Sequence, residues 1–245
     1  MIDLLGTYLL FPGNTSQPEE LSRVLIALEE EPQAAPTHAN YDERKRLPYD
    51  REAALRSFGL KRSRGVVLWR GKVPKFGNGY LSTNDAGYTR IMVDYVSGLR
   101  EAQLRELFAT WTRLAAKLKP EFGLLHLCWD LGAESEEYNY GFRVNAKNLR
   151  QFGFCSLHAR TWFGPDLVAL VGEQRLLSLP NTEKPPWGGV QLDLVESPWL
   201  ADFNTMARRQ REVESVFASW GLMGNYSSSS NIIPGASWTP RLWSL

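Results

Sequence analysis

The chain has 245 residues, 43% apolar and 22% charged, with a net charge of +1. That balance describes a folded body with ample length for a core. It excludes a disordered chain and a surface generally attractive to nucleic acid or anionic membrane, so any electrostatic partner must be met by a local patch. Two cysteines are too few for a disulfide framework, and Met1–Gly6 shows no basic stretch leading an apolar run; with no apolar stretch of about 18 residues, the expectation is a cytoplasmic protein.

Gly6-Thr7-Tyr8-Leu9-Leu10-Phe11 reads as a first strand, stopped by Pro12-Gly13-Asn14. Ser16 and Glu19 have capping-box spacing, and Leu21, Val24, Leu25 and Leu28 give a short helix its apolar face. Glu29-Glu30-Glu31 closes that helix against the macrodipole. Such a breach is either a solvated, frayed end or an acidic contact for a basic partner. Thr37–Arg46 has no periodicity and reads as a polar connection. Tyr49–Phe58 is patterned as a helix with Gly59 as its cap. Lys61–Arg64 is a basic loop without aromatic residues to stack on bases, Val66–Trp69 a strand, and Gly71–Gly87 a loop or wide hairpin.

Tyr88–Pro120 is the strongest unit. Thr89–Val96 alternates β-branched and aromatic residues with polar ones, as a strand does. After Ser97-Gly98, a helix carries Leu104, Leu107, Phe108, Trp111, Leu114, Ala115 and Leu118 on one stripe, with Lys117 and Lys119 near its carbonyl end. Gly123–Asp130 is a further strand and Ala133–Tyr140 an acidic loop. Phe142–Val144 reads as a short strand and Asn145–Phe152 as a helix. Pro165–Gly172 starts with proline and ends with glycine, as short helices do, although its Val and Leu content also fits a strand. Gly189–Val195 is a strand; Ser197 caps and Pro198 opens a long helix lined by Phe203, Met206, Val213, Val216, Phe217 and Trp220 and ended by Gly221. Val93-Asp94-Tyr95-Val96 answers Leu192-Asp193-Leu194-Val195, a weak internal repeat. The fold class is therefore α+β, with a mixed or antiparallel sheet covered by long amphipathic helices. It forms one domain over residues 1–226, or two similar strand–helix halves over 1–122 and 123–226. The tail, 227–245, is mobile unless Trp238 and Trp243 dock it.

Chemistry-bearing residues are sparse. His126, Cys128 and Asp130 alternate on one strand and share a face; Cys155 and His158 lie three apart. Two Cys and two His could hold zinc, but no Cys-x-x-Cys occurs and the spacing matches no common finger. A Cys–His nucleophile pair from the same residues is the enzyme alternative. The chain lacks both a Gly-x-Ser-x-Gly elbow and a His-Glu-x-x-His motif, and no cofactor is expected. The segment with the most to offer a partner runs from Asp130 through Glu134, Glu136, Glu137, Tyr138 and Tyr140. Carboxylates beside tyrosines suit a patch that meets a Lys- and Arg-rich surface, with charge steering the encounter and rings anchoring it. Glu29, Glu30 and Glu31 are candidates for the same face.

Arg160-Thr161-Trp162-Phe163-Gly164-Pro165, Trp187-Gly188-Gly189-Val190-Gln191-Leu192-Asp193-Leu194 and Ser197-Pro198-Trp199, followed by the long helix to Gly221, resemble the immunity protein 52 family. The likeness covers roughly Gly141–Gly224. It implies a non-enzymatic cytoplasmic inhibitor whose partner is a cognate toxin, notably a nuclease delivered by type VI secretion, with no nucleic-acid or membrane partner. The other classes are a Cys/His- or zinc-dependent hydrolase and a structural component of a secretion assembly.

Overall fold

Seven consecutive buried residues, Leu5–Phe11, form the core of the first strand, β1 (Ile2–Pro12). A strand buried on both faces needs neighbours on both sides and layers above and below it, and β1 has all four. The structure is a computed structural model that describes residues 2–15, 17–42, 45–60, 65–83, 88–96, 98–140, 146–227 and 231–239. Its strands after β1 are β2 (His38–Asp42), β3 (Lys45–Pro48), β4 (Gly65–Arg70), β5 (Phe76–Thr83), β6 (Tyr88–Tyr95), β7 (Phe122–Trp129), β8 (Arg160–Phe163), β9 (Thr182–Glu183) and β10 (Val190–Asp193). They make a ten-stranded sheet in the order β3-β2-β4-β5-β6-β1-β7-β8-β10-β9. Every pairing is antiparallel. The helices are α1 (Pro18–Glu29), α2 (Arg51–Leu60), α3 (Glu101–Leu118), α4 (Ala133–Tyr140), α5 (Ala146–Phe152), α6 (Pro165–Val171), α7 (Glu173–Leu177) and α8 (Phe203–Ser219). The fold is α+β, an antiparallel sheet clad in helices. Among the described residues, no helix is long and apolar enough to cross a membrane.

Register decides which side chains meet which helices. Leu5, Thr7, Leu9 and Phe11 of β1 lie opposite Tyr95, Val93, Ile91 and Thr89 of β6. This first face meets α1 and α3: Trp111 packs edge-on against Tyr95 and donates from Nε1 to its hydroxyl at 3.2 Å, and Arg23 lies over the Phe11 ring. The intervening residues Gly6, Tyr8 and Leu10 lie opposite His126, Leu124 and Phe122 of β7. This second face meets α4 and α8, through Tyr138 stacked on His126 and Phe217 stacked on Phe163. Gly123 leaves room for close packing where β7 meets β1 and β8: a Cβ there would lie 2.7 Å from Leu9 Cδ2 and 3.0 Å from the Trp162 ring, so those side chains would have to shift.

All seven stripe residues of α3 are buried, as the three- and four-residue spacing predicts. α8 differs in two ways. Pro198–Leu200 forms a single 3₁₀ turn without a side-chain bond from Ser197, and the helix starts afresh at Phe203, where Asp202 accepts from the Thr205 amide at 2.8 Å. Its inner face also includes Gln210, whose amide donates to Ser156 Oγ and to the Leu157 carbonyl. Pro165–Val171 is a helix and not a strand. Thr37–Arg46 is not a polar connection: it supplies β2 and the start of β3. Of the loop or wide hairpin expected at Gly71–Gly87, the hairpin form holds: the segment contains β5, paired antiparallel with β4 and β6. Ser16, Lys61–Arg64, Phe142–Val144 and Trp243 lie outside the described residues. Trp238 docks the tail, packing edge-on against Phe154 and donating to the Arg150 carbonyl at 3.0 Å.

The two strand–helix units that resemble each other are β6–α3 and β10–α8. Asp193 of the second makes a buried ion pair on the first face. Arg160 donates from Nε to Asp193 Oδ1 at 2.7 Å and from a terminal nitrogen to Oδ2 at 2.5 Å, while its other terminal nitrogen reaches Thr112 Oγ1 on α3 at 2.7 Å. Burial raises the Asp193 pKa and the guanidinium opposes that rise. Removing one partner strands a buried charge. Asp193→Ala is expected to lose about 3–5 kcal/mol of stability in urea unfolding. The apolar double variant Arg160→Met with Asp193→Leu should recover most of that loss.

Candidate functional site

His126 sits opposite a glycine, Gly6, on the second face of the sheet. Its Nε2 is 3.1 Å from the Tyr138 carbonyl, and its Nδ1 is 3.3 Å from Nδ1 of His158. A carbonyl only accepts, so Nε2 of His126 carries the proton and its Nδ1 accepts from His158. Both rings are buried. Burial lowers the His126 pKa to about 3, and His158, desolvated and facing His126, is also held well below its ordinary value. Burial, with Asp94 and Asp3 nearby, pushes the Cys128 thiol up to about 12, and burial raises Cys155 as well. The His and Cys residues considered for a nucleophile pair are thus a neutral imidazole pair and two protonated thiols. Among the described residues, no three His, Cys, Asp or Glu side chains are placed to share a metal ion.

The acidic segment after β7 is not a loop. Gly132, with φ of +61°, turns the chain into α4. Glu134 and Glu136 occupy its first turn, where the macrodipole favours them. Ser135, Tyr138 and Asn139, at i, i+3 and i+4, form its inner face. Ser135 Oγ donates to the Trp129 carbonyl at 2.8 Å, and Asn139 exchanges hydrogen bonds with the Trp129 backbone. Tyr138 is therefore not the exposed anchor that its charged neighbours imply. It is 6% exposed, stacked on His126 at 4.5 Å and packed edge-on against Trp129 and Phe203. Glu137 and Tyr140 belong to the same helix, but their side chains lie outside the described residues.

Asp130, Glu134 and Glu136 remain exposed. Among the described residues they make no ion pair. They flank two clefts. One of about 570 Å³ is lined by Asp3, Asp130, Glu136 and Asn139. The other, of about 500 Å³, opens between Glu134 and Tyr138 on α4 and Gln210 and Glu214 on α8. Sequence reasoning missed the α8 contribution, because residues 70 and more positions apart meet only through the sheet.

Glu29, Glu30 and Glu31 lie on the other side of the sheet, so the structure does not join them to α4. Each also has an internal partner. Tyr49 and Arg51 donate to Glu29 at 2.6 and 2.8 Å. Lys117 reaches Glu30 at 3.1 Å and Glu31 at 2.9 Å, and Arg113 reaches Glu31 at 2.9 Å. Glu31 is buried. Of the three carboxylates at the end of α1, Glu29 is balanced by Arg51 of α2, and Glu30 and Glu31 by Lys117 and Arg113 of α3.

The class defined here is an antiparallel α+β sheet protein with an uncommitted acidic helix on one face. No family model matches the chain, and no curated protein matches it by sequence. Its fold is similar to that of the Pseudomonas aeruginosa T6SS protein PA0821, with a TM-score of 0.56 and 16% identity over 97% of this chain and 80% of that one. At that identity the likeness is one of fold. The motifs that resemble immunity protein 52 map to β8, β10 and the 3₁₀ turn, and they include the buried Arg160–Asp193 pair.

The histidine pair makes the fold acid-sensitive. Below pH of about 6.5 the unfolded chain protonates both rings, whereas the folded chain resists until far lower pH, about 3 for His126. Stability is therefore intact at neutral pH and falls as pH drops through that window, by about 2 kcal/mol at pH 5 from His126, with His158 acting in the same direction. Urea midpoints between pH 7 and 5 should fall more steeply for the native chain than for His158→Gln.

Proposed function

We propose that this chain is a cytoplasmic immunity-type inhibitor that neutralises a cognate toxin of a type VI secretion system, by binding it and covering its active site. The observation that carries the reading is the shared fold with a T6SS protein over nearly the whole chain. The resemblance of Arg160–Pro165, Trp187–Leu194 and Ser197–Trp199 to the immunity protein 52 family supports inhibition as the form such a role would take. The geometry supports a binding role: a rigid sheet carries a short helix whose outward carboxylates, Glu134 and Glu136, join Asp130 in making no ion pair within the described chain. A nuclease toxin presents a basic cleft to its substrate. A fixed acidic ridge meets such a cleft with complementary charge, which speeds encounter and favours that partner over others.

Co-expression with the toxin encoded next to this chain tests the reading. Survival and recovery of a stable complex are expected. Replacing Asp130, Glu134 and Glu136 together by alanine is expected to weaken the complex about ten-fold or more, mostly through slower association and with a shallower salt dependence. An unchanged association rate would remove α4 from the contact, and toxicity unrelieved by a well-folded chain would remove the inhibitor reading for that pair.

A further inference from the structure

We infer that the cleft between α4 and α8 is a subsite for a lysine or arginine side chain of the protein partner, held by the Tyr138 hydroxyl and the Glu134 carboxylate; this rests on the inhibitor reading above. Two independent observations carry it. The first is charge: the cleft places Glu134 and Glu214 against one lining cation, Arg211. The second is Tyr138. Its ring is fixed on three sides by His126, Trp129 and Phe203. Its hydroxyl is buried and has no hydrogen-bond partner, and Tyr138 is among the residues that line the cleft. A buried hydroxyl without a partner costs free energy that a phenylalanine would avoid. Burial holds the phenol protonated, with Glu214 among the charges acting on it, so its oxygen can accept a hydrogen bond from an ammonium or guanidinium group.

The rest of the cleft is braced. Glu214 Oε1 accepts from Ser156 Oγ at 2.7 Å and from the Leu157 amide at 2.9 Å. Gln210 is committed to Ser156 and to the Leu157 carbonyl. Phe203 supplies an aromatic wall along which the methylene stem of a lysine or arginine packs while its charged head reaches the carboxylate. A volume of about 500 Å³ accommodates that side chain together with its neighbours.

Tyr138→Phe tests the inference without disturbing the packing, because it removes only the orphan hydroxyl. Two probes are read on the native chain, on Tyr138→Phe, on Glu134→Gln and on Arg211→Gln. They are n-butylammonium chloride, titrated against sodium chloride and followed by amide NMR shifts, and the catalytically inactivated toxin encoded beside the chain, followed by calorimetry. Saturable shifts around Tyr138 and Gln210 are expected with butylammonium in the native chain. They should be lost in Tyr138→Phe and Glu134→Gln and strengthened in Arg211→Gln. Tyr138→Phe is expected to keep or raise the melting temperature while weakening toxin binding at least ten-fold. No saturable butylammonium binding overturns the subsite. Toxin binding that Tyr138→Phe leaves unchanged overturns it as a partner contact, with the inhibitor reading intact. Butylammonium binding without toxin binding removes the inhibitor reading and leaves a cation site.

Discussion

The structure depends on one strand finding two partners. β1 lies between β6 and β7, with Leu5 opposite Tyr95 on one side and Leu127 on the other. Neither half of the sheet is continuous with the other except through it. The contacts are long in sequence, so the loop-closure entropy of about 90 and 120 residues is lost before the pairing repays it. What repays it is burial on both faces at once. Even the polar member is satisfied, with Thr7 Oγ1 donating to the Val93 carbonyl at 2.9 Å. Because side chains alternate, the register of β1 also divides the molecule into two chemical sides. Odd positions meet α1 and α3 with their internal ion pairs, and even positions meet the histidine pair, α4 and α8.

Elements stabilised by a periodic apolar stripe could be read from the sequence. α3 is the clearest, since a helix of 18 residues repeats its pattern often enough to exclude other periods. β2 and β3 were illegible for the opposite reason. They are five and four residues long, carry polar side chains and exist through pairing with each other and with β4. α4 had a local signal, with acids in its first turn and Ser135, Tyr138 and Asn139 spaced as one face, but its charge disguised it as a loop. The triple glutamate at the end of α1 broke a local rule and invited a functional reading. Its cause was structural: Arg51 of α2 meets Glu29, and Lys117 and Arg113 of α3 meet Glu30 and Glu31 across 82 and more residues of sequence.

That distinction separates the two acidic groups chemically. A carboxylate such as Glu31, buried against two cations, has its charge neutralised where it lies, and presenting it to a partner would first require breaking those pairs. Asp130, Glu134 and Glu136 carry no such cost. On a chain of net charge +1, this segregation produces a local acidic field without an acidic protein. Charges held on a helix that Ser135 and Asn139 pin to β7 also lose little freedom when a partner docks.

The two faces of the sheet give Tyr138 an internal control. Tyr95, on the first face, is as deeply buried, and its hydroxyl is fully used, accepting from Trp111 and donating to the Gln33 carbonyl at 3.1 Å. Tyr8 also has an orphan hydroxyl, but Tyr8 packs beside Phe122 and lines neither cleft. Tyr138 combines the orphan hydroxyl with a cleft holding two carboxylates. Local features that stability alone would not select concentrate where a protein meets something else. A phenol locked by three aromatic neighbours is a poor choice for packing but a good one for binding, because its unpartnered oxygen belongs to a residue that lines a cleft with two carboxylates.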